Sequence, residues 1–501
     1  MELQELDKKV EEVREYIKNK SLDRALEMMN VILIDKENTE NKMVILEMGQ
    51  VFLARENFNE SRIWFKKVLD KDKDNIYAIK SMLRVSCGLE NYEELAFYAK
   101  KIISQKDTFQ EEDLLTYLID FLFMKLLKYK KIDDLYNINK IVKILDLCQE
   151  YVKDARLKNI IVNELEISNE EIVLKSKPRV LIISVTSRCN IRCKMCKIPS
   201  EHWDFPNNKL EDIFNLFPTL QKVVWHGGEP FLYNGIDDLI AVAGKYNVNQ
   251  VVSTNGLLLN EERIIKIINA SMELDISIHG FTEQVYEFIH YGGQFKQLIN
   301  NLEIIKSIKN KLNSNIKYGL KFLLMKSNYK QLKDLYDFAI KYGFNHVYVN
   351  TLGYDTISEE NFIYHNKDVN IIKNVIENSK ILSEKFKKAN ILYEAWLPDI
   401  KNDTDVIKCE NGNKEHETKE QKFCCYMPWQ SLQIDIGGFV RNNCYCENLI
   451  IGNINEESIN DIWNNDKIIK MRKNIINNGF DEKCALDCKN GRISSLYLKN
   501  M

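Results

Sequence analysis

All seven prolines of this 501-residue chain lie at Pro178 or later. Only two glycines, Gly49 and Gly88, precede that position. Because proline breaks the interior of a helix and glycine weakens it, their scarcity predicts that the first third of the chain consists of helices joined by short polar turns. At roughly 150 residues per domain, a chain of this length should hold about three domains.

A segment of this helical third recurs at a fixed distance along the chain. NFNESRIWFKKVL (residues 57–69) returns as NYEELAFYAKKII (residues 91–103), 34 residues later, and a looser copy begins at Lys20. The period resembles that of tetratricopeptide repeats over roughly residues 5–110. The resemblance implies stacked helical hairpins with a concave surface for an extended peptide or partner protein, and a plain helical bundle with aromatic core residues is the alternative.

From Pro178 onward, β-rich runs alternate with amphipathic helices. Six such alternations without antiparallel hairpins predict an α/β domain with a parallel sheet, most simply curled into an open, partial (βα)6 barrel. Functional residues should then lie at the carboxyl ends of its strands. The six predicted strands are residues 180–186, 222–226, 250–254, 273–279, 317–325 and 346–352.

The twelve cysteines are unevenly distributed. The first residues show no secretion signal, so we expect a cytoplasmic protein in which metal or cluster binding explains the cysteines better than disulfides do. Cys189, Cys193 and Cys196 follow the first predicted strand with CxxxCxxC spacing, and the next cysteine is Cys409. A structural zinc site would need a fourth ligand nearby, whereas a 4Fe–4S cluster held by three thiolates leaves one iron free to bind a cofactor.

The second predicted strand ends in GGEP, which comprises Gly227, Gly228, Glu229 and Pro230. This motif and the CxxxCxxC loop resemble, in order and position, those of the radical S-adenosylmethionine (SAM) superfamily. The resemblance implies that the three cysteines of the loop hold a 4Fe–4S cluster and that GGEP contacts the amino group of SAM. It further implies a radical SAM enzyme, which takes electrons from an external donor of the flavodoxin or ferredoxin type and cleaves SAM reductively to generate a 5′-deoxyadenosyl radical that abstracts a substrate hydrogen.

Polar sequences also end the third and fourth predicted strands, namely STNG (residues 253–256) and SIHG (residues 277–280). The superfamily places contacts to the carboxylate and ribose of SAM at such positions. The resemblance therefore implies SAM contacts at Ser253, Asn255 and Ser277, and capping of the strand ends is the alternative role of each.

Four further residues near the predicted barrel mouth carry no firm assignment, and no catalytic residue is assigned. His279 stands where many relatives have aspartate, which weakens any transfer of that role. Met195 stands where aromatic residues are frequent, and it packs either beside adenine or in the core. His226 and His290 also fall near the mouth, where a lone histidine more often has a structural role than a catalytic one.

The last region resembles the SPASM and twitch extensions of this superfamily. It has a cysteine, a hairpin turning at Gly437 and Gly438, an IGN turn, a short helix with Trp463 and a closing CALDC. The resemblance implies one auxiliary 4Fe–4S cluster, although four thiolates would suit zinc equally well. The implied ligands are Cys425, Cys444, Cys484 and Cys488. The spare cysteines, which could replace one of these or serve a second cluster, are Cys409, Cys424 and Cys446.

These features predict five segments: a repeat domain (1–150), a helical linker (151–177), the radical SAM barrel (178–355), a connector (356–408) and an auxiliary cluster domain (409–501). The resemblance implies modification of a peptide or protein, by crosslinking, epimerisation or dehydrogenation, with the substrate held by the repeats. The alternatives are a small substrate such as a sugar or aminoglycoside, and a non-catalytic iron–sulfur scaffold or sensor. The formal charge of −3 and the interrupted apolar runs give no reason to expect nucleic acid or membrane as a partner.

Overall fold

The structure is a computed structural model, and it divides into two compact units, Met1–Glu171 and Ile172–Met501. The boundary falls inside the segment predicted as a linker, and the finer division into five segments stays a prediction. The residues that the structure describes are 3–104, 112–131, 134–198, 201–352, 359–361, 369–397, 425–443, 446, 449–479 and 481–484.

The first unit is helical throughout its described part, as predicted. Asparagine side chains cap the N-termini of several of its helices. Those of Asn41 and Asn75 accept hydrogen bonds from the backbone amides of Met43 and Ala78, respectively. The helices are α1 (Leu3–Lys18), α2 (Leu22–Leu33), α3 (Lys42–Ala54), α4 (Phe58–Lys71), α5 (Ile76–Gly88), α6 (Tyr92–Ser104), α7 (Glu112–Lys131), α8 (Leu135–Cys148) and α9 (Ala155–Ser168).

Helices α1 to α6 pack as successive hairpins, each against its neighbour in the chain. In the hairpin of α3 and α4, a Cβ at Gly49 would stand 2.5 Å from the ring of Phe65, so glycine permits the close approach of the two helices. Ser61 Oγ donates a hydrogen bond of 2.9 Å to the Gly49 carbonyl at the same place. Stacked hairpins agree with a repeat architecture, and the tetratricopeptide assignment itself stays a prediction.

The second unit is built around one ten-stranded sheet, in the order β12-β11-β10-β1-β3-β4-β5-β7-β8-β9, while β2 and β6 pair with each other. The six predicted strands are β1, β3, β4, β5, β7 and β8, which are neighbours and parallel, as predicted. The strands are β1 (Val180–Thr186), β2 (Arg192–Cys193), β3 (Lys222–Gly227), β4 (Asn249–Thr254), β5 (Glu273–Ser277), β6 (His290–Tyr291), β7 (Tyr318–Leu324), β8 (His346–Thr351), β9 (Leu392–Trp396), β10 (Ser431–Ile434), β11 (Phe439–Arg441) and β12 (Gly452–Asn453).

The sheet is wider than the six strands expected of the barrel. Strand β9 pairs in parallel with β8, and β10 pairs in parallel with β1, so both edges of the six-stranded sheet are covered. An open barrel leaves two edge strands with unpaired backbone groups, and these additions supply their partners. The helices of this unit are α10 (Leu210–Phe214), α11 (Ile236–Lys245), α12 (Glu261–Asn269), α13 (Glu283–Ile289), α14 (Phe295–Lys311), α15 (Leu335–Tyr342), α16 (Val369–Lys388), α17 (Met427–Gln430), α18 (Ile459–Ile462) and α19 (Asp466–Asn478).

The predicted C-terminal hairpin is formed by β10 and β11, which turn at Gly437 and Gly438 with φ values of 85° and 80°. Behind it, the indole of Trp463 donates a hydrogen bond of 2.7 Å to the carbonyl of Ser176. The fully buried Arg472 donates to the carbonyl oxygens of Pro428, at 2.9 Å, and of Trp463, also at 2.9 Å. The Trp463 bond ties the C-terminal region to the segment that precedes β1, and the Arg472 bonds hold the C-terminal helices to one another.

In the part of the chain that the structure describes, no helix combines the length and the apolar character needed to span a membrane.

Candidate metal centre and cofactor site

The cysteine loop leaves the carboxyl end of β1 and is held at its start by a charged pair. Arg188 Nε and Nη2 donate to the two carboxylate oxygens of Asp204 at 3.0 and 2.8 Å, which is a bidentate arrangement. Arg188 Nη2 also donates to the carbonyl of Leu232 at 2.7 Å. The hydroxyl of Ser187 accepts the backbone N–H of Trp203 at 2.7 Å. The loop therefore returns to the strand end from which it started.

The three predicted cluster ligands lie together on this loop as free thiols. Cys189 and Cys193 are half-buried and Cys196 is exposed. Burial, together with the neighbouring Cys196 and Cys189, raises the pKa of Cys193 to about 12. Burial, together with the nearby Glu229 and Cys196, likewise raises the pKa of Cys189. The thiols are thus near enough to influence one another's ionisation, and the positive charge of bound iron would reverse this shift and hold them as thiolates.

The donor set is three thiols on one loop, which suits an iron–sulfur cluster. Across the described ranges, no group of three or more His, Cys, Asp or Glu side chains is arranged to hold one metal ion. The thiolates of a four-iron cluster bind different irons, so their sulfurs do not have to converge on one point.

The GGEP motif lies directly against the base of the cysteine loop. The Gly228 N–H donates to the Thr186 carbonyl at 2.7 Å, and the Glu229 N–H donates to the Arg188 carbonyl at 2.8 Å. A Cβ at Gly228 would overlap the backbone carbonyls of Ser187 and Arg188. Gly227 has a φ of 129°, a backbone conformation that residues with a side chain rarely adopt. Glycine is therefore required here by the approach of two backbone segments.

The carboxylate of Glu229 is fully buried and links the end of β3 to the end of β4. One oxygen accepts the hydroxyl of Thr254 at 2.8 Å and the N–H of Phe231 at 3.3 Å, and the other accepts the N–H of Asn255 at 2.8 Å. Burial raises the pKa of Glu229, and these hydrogen bonds oppose that shift. Pro230 begins the turn that follows. A contact between GGEP and the amino group of SAM stays a prediction.

The side chain of Asn255 links the end of β4 to the cysteine loop. Its Nδ2 donates to the side-chain oxygen of Asn190 at 2.8 Å and lies 3.9 Å from the sulfur of Cys189. The sequence interpretation missed Asn190, although this residue lies inside the CxxxCxxC motif.

Ser253 and Ser277 end neighbouring strands beside a charged pair that the sequence interpretation also missed. Lys321 Nζ donates to Ser253 Oγ at 2.9 Å and lies 2.9 Å from a carboxylate oxygen of Asp275. Ser277 is the strand partner of Lys321. The alternation of side chains along β5 and β7 could have indicated that Asp275 and Lys321 share a face of the sheet.

The histidines at the strand ends are mostly buried, and burial lowers the pKa of His226 and of His279 to about 4. His226 Nε2 lies 3.5 Å from the hydroxyl of Ser184. His279 Nδ1 accepts the N–H of Leu323 at 3.1 Å, so its ring is fixed by the adjacent strand. In β6, His290 is paired with Cys193 of the cysteine loop.

The auxiliary site is only partly described. Cys425, Cys446 and Cys484 are half-buried. The choice between Cys446 and the predicted ligands stays open, and the ligand set stays a prediction. The remaining C-terminal cysteines lie outside the described residues: Cys409, Cys424, Cys444 and Cys488.

Comparisons with known proteins agree with this geometry. The family model of the radical SAM superfamily matches residues 183–321, and that of the SPASM iron–sulfur cluster-binding domain matches residues 424–489. The tungsten-containing aldehyde ferredoxin oxidoreductase cofactor-modifying protein of Pyrococcus furiosus is 24% identical, over 59% of this chain and 83% of that protein. The Fe-coproporphyrin III synthase of Methanosarcina barkeri is 24% identical, over 63% of this chain and 83% of its own length.

Among solved structures, SuiB of Streptococcus suis aligns with a TM-score of 0.49 and 14% identity, over 75% of this chain and 83% of SuiB. The two family matches, with the cysteine loop and GGEP at the strand ends, show that this chain contains a radical SAM domain and a C-terminal SPASM domain. A radical SAM domain binds SAM and a 4Fe–4S cluster, and a SPASM domain binds auxiliary iron–sulfur clusters. When bound, the core cluster and SAM supply the reductive cleavage that yields the 5′-deoxyadenosyl radical.

Proposed function

We propose that this radical SAM enzyme modifies a peptide or protein, by crosslinking, epimerisation or dehydrogenation of its residues. The observation that carries the proposal is the first unit, in which successive hairpins provide a surface longer than a small molecule requires. Helices α3 and α5 lie side by side there, joined by a hydrogen bond of 2.7 Å from Gln50 Nε2 to Ser81 Oγ. Such stacking produces the extended faces with which repeat proteins bind peptides.

Exposed aromatic residues on the same unit support peptide binding. Tyr77 on α5 is 66% exposed and Phe97 on α6 is 60% exposed. Aromatic side chains bury large areas with little loss of conformational freedom, so they are frequent anchors of bound chains.

In the barrel, the residues of this chain would orient the reactants and exclude water. Lys321 is held by Asp275 and Ser253, and it places a positive charge beside the strand end where an anionic group of SAM or substrate would be stabilised. Electrons would come from an external donor of the flavodoxin or ferredoxin type.

A small substrate is the rival proposal. It is favoured by the relative named Fe-coproporphyrin III synthase, whose name refers to a small molecule. In that case the helical unit would serve assembly with another protein.

The test uses the full chain, reconstituted without oxygen and supplied with SAM and dithionite. Candidate peptides, beginning with any short peptide encoded beside the gene, should change mass and should increase the formation of 5′-deoxyadenosine. Hydrogen exchange should slow in helices α3 to α6 when the peptide binds. If small molecules stimulate SAM cleavage, no peptide does, and exchange in these helices is unaffected, the peptide proposal is wrong.

A matched pair of cysteine variants controls this experiment. Replacement of Cys189, Cys193 and Cys196 by serine should abolish both SAM cleavage and the mass change. Cys148→Ala removes a buried thiol of the helical unit and should preserve both activities.

A further inference from the structure

His290 is a buried histidine in contact with the cysteine loop, and its side chain is 1% exposed. Strand β6 places it directly opposite Cys193 of β2 in an antiparallel pair. The backbone N–H of Lys194 donates to the carbonyl of Ile289 at 3.0 Å and extends this pairing. The backbone thus fixes the imidazole beside one of the cluster-binding thiols.

The hydrogen bonds of the ring determine where its proton lies. His290 Nε2 accepts the backbone N–H of His279 at 3.2 Å. A ring nitrogen that accepts a hydrogen bond carries no proton, so the neutral ring carries it on Nδ1. Nδ1 lies 3.2 Å from the sulfur of Cys193. The N–H of Nδ1 is therefore directed at a cluster ligand.

The ring cannot easily turn away from this sulfur. Tyr286 stacks on His290 with the ring centroids 4.4 Å apart, and His279 stacks with the centroids 4.8 Å apart. His279 is itself held, since its Nδ1 accepts the N–H of Leu323 and its carbonyl accepts Asn328 Nδ2 at 2.9 Å.

We propose that His290 is a positioning residue whose Nδ1–H donates a hydrogen bond to the Cys193 thiolate of the core cluster and thereby raises the reduction potential of that cluster. A hydrogen bond to a ligand sulfur withdraws electron density and stabilises the reduced cluster, which carries one more negative charge. The inference concerns the core cluster alone and does not depend on the proposed peptide substrate, so every measurement is made without substrate.

Two substitutions of His290 distinguish the roles of the two ring nitrogens. His290→Gln keeps a polar group near the position of Nε2 and loses the donor to sulfur, so the midpoint potential should become more negative. His290→Asn keeps an N–H donor near the position of Nδ1, so the potential should stay close to that of the unsubstituted enzyme. In the described part of the chain, the hydroxyl of Tyr286 has no hydrogen-bond partner, so Tyr286→Phe keeps the stacked ring and should not shift the potential.

The potential is measured by redox titration followed by electron paramagnetic resonance, using the signal that changes when SAM is added, because SAM binds at the core cluster. Equal potentials in the Gln and Asn variants, shifted or not, would overturn the proposal. If neither variant retains iron, the hydrogen bond is tested in the unsubstituted enzyme instead. With ¹⁵N-labelled histidine, the reduced core cluster should show a coupling to a histidine nitrogen, and its absence would contradict the hydrogen bond.

Discussion

Gly228→Ala should separate the cysteine loop from the GGEP motif. The added Cβ would stand 2.7 Å from both the Ser187 carbonyl oxygen and the Arg188 carbonyl carbon, and still closer to the Arg188 oxygen. These are backbone atoms, so they cannot rotate away as a flexible side chain could. One of the two segments must therefore move, which displaces either the loop that carries the cluster ligands or the GGEP motif.

The cost can be worked from the contacts that would be lost. Two backbone hydrogen bonds join the segments, from Gly228 to Thr186 and from Glu229 to Arg188, and together they contribute about 2 kcal/mol net. Overpacking of a rigid site adds about 1–3 kcal/mol. The expected loss in the free energy of unfolding is therefore about 3–5 kcal/mol, which lowers a urea midpoint by about 1–2 M at a slope near 3 kcal/mol/M.

The assay is urea unfolding of the anaerobic holoenzyme followed by circular dichroism, together with iron content and SAM affinity. Gly244→Ala in α11 is the matched control, since its Cβ would meet only ordinary contacts at 3.8 and 3.9 Å. Alanine there should stabilise the helix by about 0.5–1 kcal/mol. If Gly228→Ala retains its urea midpoint, its iron and its SAM affinity, the close approach of the two segments is not needed and the reasoning is refuted.

Two further changes test other parts of the second unit. Trp463→Phe leaves the buried carbonyl of Ser176 without the indole donor and should destabilise the fold by about 1–3 kcal/mol, and an unchanged urea midpoint would contradict this. For His279, which is 6% exposed, burial depresses the folded-state pKa from 6.5 to about 4. Its neutral ring therefore contributes stability that is complete above pH 6.5 and is lost as the pH falls toward 4. In cluster-free protein, the contribution of this group to the free energy of unfolding should fall by roughly 1–2 kcal/mol between pH 7 and 5. If the free energy of unfolding of His279→Asn depends on pH as that of the unsubstituted protein does, the assignment is wrong.

The strands of the barrel were predictable because their signal is local. Residues 180–186 were predicted and form β1 (Val180–Thr186), and the other five predicted strands agree with the structure to within two residues at each end. Runs of β-branched and aromatic residues between turn-forming segments depend only on neighbouring positions, so one sequence suffices to find them.

The contacts of the candidate site were harder to predict from the sequence. The bidentate pair of Arg188 and Asp204, the pairing of β10 with β1, and the bond between His290 and Cys193 join residues that are far apart along the chain or lie in different motifs. No local pattern marks such partners, because they depend on which strand ends meet and on the path of the intervening loops.

The sequence by itself determined the helical first third, the positions of the six parallel strands and the three-thiol loop, since each follows from residue types at short spacing. The tertiary structure decided that Glu229 ties two strands together, and that a particular nitrogen of His290 faces the sulfur of Cys193. The physical reason is that a hydrogen bond requires two groups to lie within about 3 Å in the correct orientation. Only the packed sheet, which brings distant segments to one edge, specifies such distances.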